Sequence, residues 1–260
     1  RYHDGRFYLF FGTPDEGYFM TSAVRPEGPW EPLTSLLSEP GWDDCTSIWD
    51  DKGKAYFAGT HFADGYKTYL FKMSEDGKSI DRKSAVLINE GSGREASKLI
   101  KLNGWYYLVF SEHKPGVGRY VLAKRSKKVT GPYQEERQLA LPSVEAMEPN
   151  QGGIVQGRDN NWYFLTHHGT GDWSGRIVSL LPVTWIDGWP MLGDEDGRVP
   201  ETMEVPVKGG PVIPLVVGDE FDGDKLKMEW QWNHNPVDEA WTLKEHKGFL
   251  RLKTNKVVSN

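Results

Sequence analysis

A short pattern, a turn residue followed by an aromatic-rich strand, occurs four times in this chain at intervals of roughly 50 residues. The four copies are Gly5-Arg6-Phe7-Tyr8, Gly53-Lys54-Ala55-Tyr56, Gly104-Trp105-Tyr106-Tyr107 and Asn161-Trp162-Tyr163-Phe164. Glycine and asparagine next to aromatic runs are hairpin signals. All-β units of about 50 residues, without a long amphipathic helix, are typical of four-stranded β-propeller blades. The repeat therefore predicts an all-β propeller, and a β-sandwich with accidental turn similarity is the alternative.

The later part of the repeat matches as well. In the first unit an apolar strand runs to Gly28-Pro29-Trp30, and in the third unit a similar strand runs to Gly131-Pro132-Tyr133. The second unit ends its strand at Asp76-Gly77 instead. Each unit is thus expected to contain several short strands joined by tight turns.

Composition excludes several classes of function. The 260 residues carry a formal net charge of −6, whereas a nucleic-acid binder needs clustered lysine and arginine. The basic run 124–128 is short, and a solvated edge is the expectation for it. No apolar run approaches the roughly 20 residues that span a bilayer, and the single cysteine, Cys45, excludes an internal disulfide. We therefore expect neither a nucleic acid nor a membrane as partner.

The character of the sequence changes near residue 205. Residues 1–205 carry the repeats, residues 206–217 are rich in proline and glycine and read as a linker, and residues 218–260 begin a different pattern. The chain starts almost directly in an apolar strand, and its last strand-like run has no evident closing element. We therefore expect an internal piece of a longer protein.

Two acidic residues occupy the same position in adjacent repeats. Asp44 lies nine residues before Gly53, and Glu95 lies nine residues before Gly104. The innermost strands of a propeller run along one axis, so equivalent positions of successive blades converge. The spacing therefore predicts that both carboxylates point into one axial pocket.

Carboxylates that share a pocket shift each other's pKa values, which suits one of them to hold a proton near neutral pH. A structural reading of the same residues stays open at this point. In that reading Asp44 caps a turn beside Asp43, and Glu95 pairs with Arg94.

Around these acids the chain resembles glycoside hydrolase family 43, whose members are five-bladed β-propellers that act on pentose-containing polysaccharides. The resemblance lies in residues 43–56, 94–108, 151–153, 175–176 and 181–190. It implies a five-bladed β-propeller, incomplete at the N-terminus because the first blade is missing, over residues 1–205. Residues 218–260 then resemble the start of the C-terminal β-sandwich that follows the propeller in many members.

The resemblance also implies roles for the two acids. Asp44 matches the aspartate that modulates the pKa of the acid, although Cys45 stands where proline is more usual. Glu95 matches the general acid, although Ala96-Ser97 departs from the commoner Gly-Pro. The family's general-base aspartate falls upstream of Arg1, so no residue here is assigned that role, and we expect this fragment alone to be inactive.

Six further residues are candidates for substrate binding. Arg176 has a planar guanidinium that suits sugar hydroxyls, and the others offer rings or amides: Trp42, Trp49, Asn150, Gln151 and His167. The two tryptophans could equally pack between strands. Asn150 stands where the family often has a histidine beside an ion or water, and we assign neither a metal nor a cofactor.

The implied activity is hydrolysis of terminal pentose linkages, α-L-arabinofuranoside or β-D-xyloside, in plant oligosaccharides and polysaccharides, by an inverting general acid/base mechanism. Two alternatives remain. One is a non-catalytic carbohydrate-binding propeller, and the other is an endo-acting arabinanase with an open groove.

Overall fold

The chain divides into two compact units, Arg1–Val207 and Lys208–Asn260. The computed structural model describes residues 1–140, 151–169, 176–193, 198, 200, 202–210, 218–227, 230–232 and 237–254. Within them the first unit contains four four-stranded sheets, and in each sheet the strands lie side by side in chain order. Every neighbouring pair is antiparallel. We name the sheets blades A to D.

The strands of the blades have the following bounds. Blade A contains β1 (Tyr2–His3), β2 (Arg6–Thr13), β3 (Gly17–Ala23) and β4 (Thr34–Leu37). Blade B contains β5 (Trp42–Trp49), β6 (Ala55–His61), β7 (Lys67–Met73) and β8 (Ile80–Asn89). Blade C contains β9 (Arg94–Leu102), β10 (Trp105–Lys114), β11 (Gly118–Ser126) and β12 (Gln134–Gln138). Blade D contains β13 (Gly152–Gln156), β14 (Trp162–Gly169), β15 (Arg176–Ile186) and β16 (Trp189–Leu192).

The repeated sequence pattern marks the same hairpin in every blade, the one between the first and second strands. In blade C, Asn103 and Gly104 have φ angles of 49° and 74°, the left-handed backbone that two-residue hairpin turns require. Asp4-Gly5 plays the same part in blade A, with φ angles of 44° and 76°. The aromatic strands that follow are β2, β6, β10 and β14, and the predicted all-β class is confirmed.

The hydrophobic core lies between successive blades, because alternate residues of a strand face opposite sides of its sheet. Strand β10 shows this directly. Leu108 and Phe110 pack into a cluster with Ile48 and Leu70 of blade B. Their neighbours Tyr107 and Val109 pack into a second cluster, with Phe164, Leu181 and Trp189 of blade D. A third cluster joins blades A and B.

The four blades converge on a central cavity of about 210 Å³. All four contribute to its wall, through residues 8–10 of blade A, 45–47 of blade B, Lys98 and Ile100 of blade C, and 153–154 of blade D. Four sheets that pack one after another around an axis form a propeller. This arrangement excludes the alternative of a β-sandwich, in which two sheets face each other.

The second unit has little regular structure among its described residues. A 3-10 helix, Asp238–Ala240, leads into β17 (Trp241–Thr242), which pairs antiparallel with β18 (Arg251–Leu252). In neither unit do the described residues include a helix long and apolar enough to cross a membrane.

We expect the packing between blades B and C to dominate the stability of the first unit. Leu108 has no exposed surface, so Leu108→Ala leaves a cavity and should lower the free energy of unfolding by about 2–5 kcal/mol. Leu33 is 60% exposed, and Leu33→Ala should stay within about 0.5 kcal/mol of the wild type. Urea denaturation measures both, and equal losses would contradict this account of the core.

Candidate active site

A cavity of about 190 Å³ opens where β5 of blade B and β9 of blade C begin. Its lining is mostly polar or aromatic and consists of Pro14, Asp43, Asp44, Thr60, Phe62, Tyr66 and Glu95. The two acids singled out by their repeat position therefore line one cavity, although they are 51 positions apart in the sequence.

A local break in strand pairing lies beside each acid. The ladder between β5 and β6 skips Asp44, whose φ of 34° is left-handed. The ladder between β9 and β10 shifts next to Glu95, and Ala96 has a φ of 60°. Such bulges re-aim a side chain and are common next to active sites. Here they free both acids from regular strand alternation.

Asp44 joins the two blades through a hydrogen bond. Its Oδ2 accepts the backbone N–H of Ala96 at 2.7 Å. Burial raises the pKa of Asp44 above its ordinary value, and the nearby carboxylates of Asp43 and Glu95 act in the same direction. The Ala96 hydrogen bond and the ammonium of Lys98 oppose this rise in pKa. Asp44 is therefore held rigidly in a place where its negative charge is costly.

Glu95 is oriented by an arginine that the sequence did not single out. Arg119, on β11, forms an ion pair with Oε1 of Glu95 and also donates to Oγ of Ser111 at 3.3 Å. The pairing of Glu95 with Arg94, left open by the sequence, does not occur. Nε of Arg94 donates instead to Glu112 at 2.6 Å, and its other nitrogens bind Glu136.

Tyr18 of blade A supports the segment that carries Asp44. The side chain of Tyr18 is fully buried, and its hydroxyl donates to the backbone oxygen of Asp43 at 2.6 Å. This contact needs Gly59 in β6, because a Cβ there would lie 2.3 Å from the Tyr18 hydroxyl. A glycine inside a strand can mark such a close approach, and it was the available signal for this contact.

The two tryptophans predicted to stack on sugar lie in the packing between strands and not at the cavity. Trp42 is 6% exposed and stacks on His61 with ring centroids 4.4 Å apart. Trp49, at the other end of β5, stacks on His3 at 4.5 Å and donates from Nε1 to the backbone oxygen of Glu75. Neither ring lines the 190 Å³ cavity, and the role of both residues in substrate binding stays a prediction.

Two aromatic residues that sequence reasoning missed occupy the cavity wall instead. Phe62 begins the 3-10 helix Phe62–Asp64 after β6, and Tyr66 follows it with a left-handed φ of 61°. Phe62 is 37% exposed. Both lie in a connection outside the repeated pattern, so no periodic signal indicated them. Their rings are the candidates for stacking on a sugar at this cavity.

The other predicted substrate residues belong to blade D or border it. Arg176 begins β15 opposite Gly169 and is exposed. Gln151 lies just before β13, and its backbone oxygen accepts the hydroxyl of Thr166 at 3.0 Å. His167 lies in β14. None of these three residues lines the 190 Å³ cavity, and Asn150 lies outside the described residues, so their roles stay predictions.

Neither a metal site nor a reactive thiol is evident in the part of the chain that the structure describes. No group of three or more histidine, cysteine, aspartate or glutamate residues there could hold a metal ion. Burial raises the pKa of the Cys45 thiol to about 12, so Cys45 stays protonated at neutral pH.

Comparison with known proteins relates the chain to one family. The family model described as Glycosyl hydrolases family 43 matches residues 1–190. A second model, described as Beta xylosidase C-terminal Concanavalin A-like domain, matches residues 218–260.

Individual relatives agree with these matches. A beta-xylosidase of Formosa agariphila is 33% identical over 292 aligned residues, which cover 100% of this chain and 49% of the relative. A non-reducing end alpha-L-arabinofuranosidase of Bacteroides ovatus is 31% identical, with 97% of this chain and 50% of the relative covered. A solved bifunctional GH43-CE protein of Bacteroides eggerthii is 32% identical with a TM-score of 0.80, covering 100% of this chain and 34% of that one. The chain spans about half the length of the curated relatives it matches.

The pKa of Asp44 predicts a pH-dependent effect on stability. The pKa of Asp44 is higher in the folded chain than the ordinary 3.8. Ionisation of Asp44 therefore destabilises the folded chain once the pH exceeds the pKa of the unfolded group. Asp44→Asn should therefore raise the free energy of unfolding at pH 7. The gain should disappear as the pH falls below 3.8.

Asp76 provides a control of opposite sign. Hydrogen bonds from the Ser74 hydroxyl and the backbone N–H of Lys78 lower its pKa, so its charge adds stability that is lost as the pH falls. Asp76→Asn should therefore lower the free energy of unfolding at pH 7. Urea titrations at several pH values measure the free energy of unfolding of both variants. A loss of stability in Asp44→Asn at pH 7 would contradict a raised pKa of Asp44.

Proposed function

Because the chain belongs to glycosyl hydrolases family 43, we propose that it forms part of an enzyme that hydrolyses terminal pentose linkages of plant polysaccharides with inversion. The linkages are β-D-xylosides or α-L-arabinofuranosides, in line with the names of its relatives. The observation that carries the proposal is the shared cavity of Asp44 and Glu95.

In this proposal Glu95 is the general acid that protonates the leaving oxygen of the glycosidic bond. Arg119 orients the carboxyl group of Glu95 through the contact of its guanidinium with Oε1. Asp44, fixed to the backbone of Ala96 at 2.7 Å, supplies the neighbouring carboxylate that adjusts the proton affinity of the acid. Both positions follow from the bulges in β5 and β9.

An inverting glycosidase also needs a general base about 6.5–9.5 Å from the acid, on the other face of the sugar. Among the described residues, the third carboxylate at the cavity is that of Asp43, whose Oδ1 accepts the backbone N–H of Asp44 at 2.8 Å. That contact directs Asp43 toward its own strand. We therefore propose that the base comes from a part of the protein beyond these residues.

Action at chain ends is proposed from the relatives, one of which is named a non-reducing end alpha-L-arabinofuranosidase. An endo-acting arabinanase with an open groove is the alternative.

A fifth blade is proposed from the outer faces of blades D and A. In blade D, the ladder places Leu165 beside Gly153 and Leu180, on the face turned away from Phe164 and blade C. Leu165 is 49% exposed on this face, and Val155 and Val178, which share it, are 50% and 67% exposed. A sheet face with this apolar character needs a partner.

Blade A presents a matching apolar face. Tyr8 and Phe10 of β2 contact the Trp49 ring of blade B, so Leu9 between them faces the other way. Leu9 is 49% exposed and Tyr2 is 65% exposed. One more blade between A and D would bury both faces, close the ring at five, and bring further residues to the axis.

Residues 218–260 are proposed to begin a β-sandwich. The support is the match of this segment to the concanavalin A-like family model, together with the strand pair β17 and β18.

The role of Glu95 is tested by its isosteric amide in the full-length protein. Without a proton donor, Glu95→Gln should lose about 10²–10⁴-fold in kcat on a pentoside with a poor leaving group. The loss should be much smaller on a nitrophenyl pentoside, whose leaving group departs without protonation. Steady-state kinetics on both substrates measure the difference.

Glu75→Gln is the matched control, because Glu75 is exposed near the opposite end of β5, where its backbone oxygen binds Trp49. It should keep wild-type rates. Equal losses of Glu95→Gln on both substrates would reject the general acid. Sugar binding without any turnover in the wild type would support the non-catalytic carbohydrate-binding alternative.

If a fifth blade packs on blade D, it covers the side chain of Leu165. In the full-length protein, Leu165→Asp should lower the free energy of unfolding by at least about 2 kcal/mol, because a charge would face an apolar partner. Leu87 is 44% exposed on β8, at the outer edge of blade B, and Leu87→Asp should cost far less. Chemical denaturation compares the two, and similar small losses would contradict a closed ring.

A further inference from the structure

A second polar cavity lies at the other end of the two strands that carry the catalytic carboxylates. From Asp44 to Asp50 the chain advances six residues, and from Glu95 to Lys101 it again advances six. At about 3.3 Å per residue, the two ends of these strands lie about 20 Å apart. The second cavity has a volume of about 340 Å³ and is lined by residues of blades B and C.

The lining of this cavity, which we name the basic cleft, is dominated by lysine. It consists of Asp50, Asp51, Lys52, Lys54, Tyr56, Lys101, Tyr106, Lys127, Lys128, Val129 and Thr130. Five lysines against two aspartates leave a local surplus of positive charge, in a chain whose net charge is −6. Three segments distant in sequence supply this charge, so the fold and not one basic run creates it.

The two aspartates are already engaged by the protein. Oδ1 of Asp50 accepts the backbone N–H groups of Lys52 and Lys54, both at 2.9 Å, and thereby shapes the hairpin turn. Asp51 forms an ion pair with Lys101. The charge of Asp51 is thus paired with Lys101, whereas Asp50 keeps its negative charge but forms no ion pair with a lysine among the described residues.

Three lysines of the basic cleft form no ion pair with any residue that the structure describes. Within the described residues, no carboxylate lies within ion-pair distance of Nζ of Lys52, Lys54 or Lys128. Lys127 is held differently, with its Nζ 3.6 Å from the centre of the Trp105 ring. A ligand that enters the cleft thus meets several free donors of like charge.

One tyrosine ring adds to the site. Tyr106 is 7% exposed, belongs to the core between blades B and C, and has the Nζ of Lys101 over its ring at 5.1 Å from the centroid, so the ring open to a ligand is that of Tyr56. Tyr56, half-buried, packs against the cluster between blades B and C and also lines the cleft. A flat ring beside ammonium groups suits a ligand that combines a sugar ring with negative charge, because aromatic faces contact the ring while lysines bind the anion.

We propose that the basic cleft binds a carboxylate-bearing sugar unit, the uronic acid branch of a polysaccharide whose terminal pentose is removed at the other end of β5 and β9. This inference rests on the proposed function, which supplies the identity of the polysaccharide. A neutral pentose would leave the lysine charges unpaired, whereas a uronic acid offers a carboxylate and a ring together. The cleft would raise the affinity for acidic polymer without touching the reacting bond.

The test uses the full-length protein and isothermal titration with three probes. They are a xylo-oligosaccharide carrying one glucuronic acid, the same oligosaccharide without it, and inorganic phosphate. The double variant Lys54→Gln/Lys128→Gln removes two of the unpaired charges. We expect it to bind the acidic probe about fivefold more weakly, a loss of about 1 kcal/mol for two exposed ion pairs, and to bind the neutral probe unchanged.

Lys72→Gln/Lys83→Gln is the matched control, because both lysines are exposed on blade B outside the cleft and the change in charge is the same. The proposal is overturned if this control weakens acidic binding equally, if the cleft variant binds the acidic probe as the wild type does, or if phosphate binds as tightly as the acidic sugar.

Hydrolysis of a neutral nitrophenyl pentoside is measured in parallel and should be unchanged in both double variants. A wild type that binds the acidic probe through the cleft but shows no hydrolysis would overturn the proposed function and leave the cleft standing. A wild type that hydrolyses the pentoside but does not distinguish the acidic from the neutral probe would overturn the cleft alone.

Discussion

The burial of apolar sheet faces against one another is the constraint on which this structure depends. Each blade is hydrophobic on both sides, and the alternation seen in β10, with Leu108 toward blade B and Tyr107 toward blade D, makes every blade a spacer between its neighbours. Sheets that are packed in this way and twisted by their strands turn around an axis. The first strands of all the blades are thereby brought together.

The candidate active site is a local departure from that regular packing. Bulges at Asp44 and beside Glu95 interrupt the ladders, and the bond from Ala96 N–H to Asp44 ties the two interruptions together across the blades. Tyr18 adds a third blade to the arrangement by holding the backbone at Asp43. Residues of three blades thus position the two acids, although each acid lies in a single strand.

The same two strands separate charges of opposite sign. At their first residues they present Asp44 and Glu95, and at their far ends they lead into the lysines of the basic cleft. Because the strands are about 20 Å long, the proposed site for acidic sugar lies about that distance from the proposed site of hydrolysis.

The sequence by itself determined the all-β class and the period of the blades, because turn chemistry and strand alternation are local. The repeat also predicted that Asp44 and Glu95 lie at one cavity, because it shows that they occupy the same position in adjacent blades. It could not place the Trp42 ring, which packs as well between strands as against a sugar. Contacts such as that of Arg119 with Glu95 were decided by tertiary structure alone. They depend on which strands become neighbours and where a bulge turns a side chain, and neither leaves a periodic trace in the sequence.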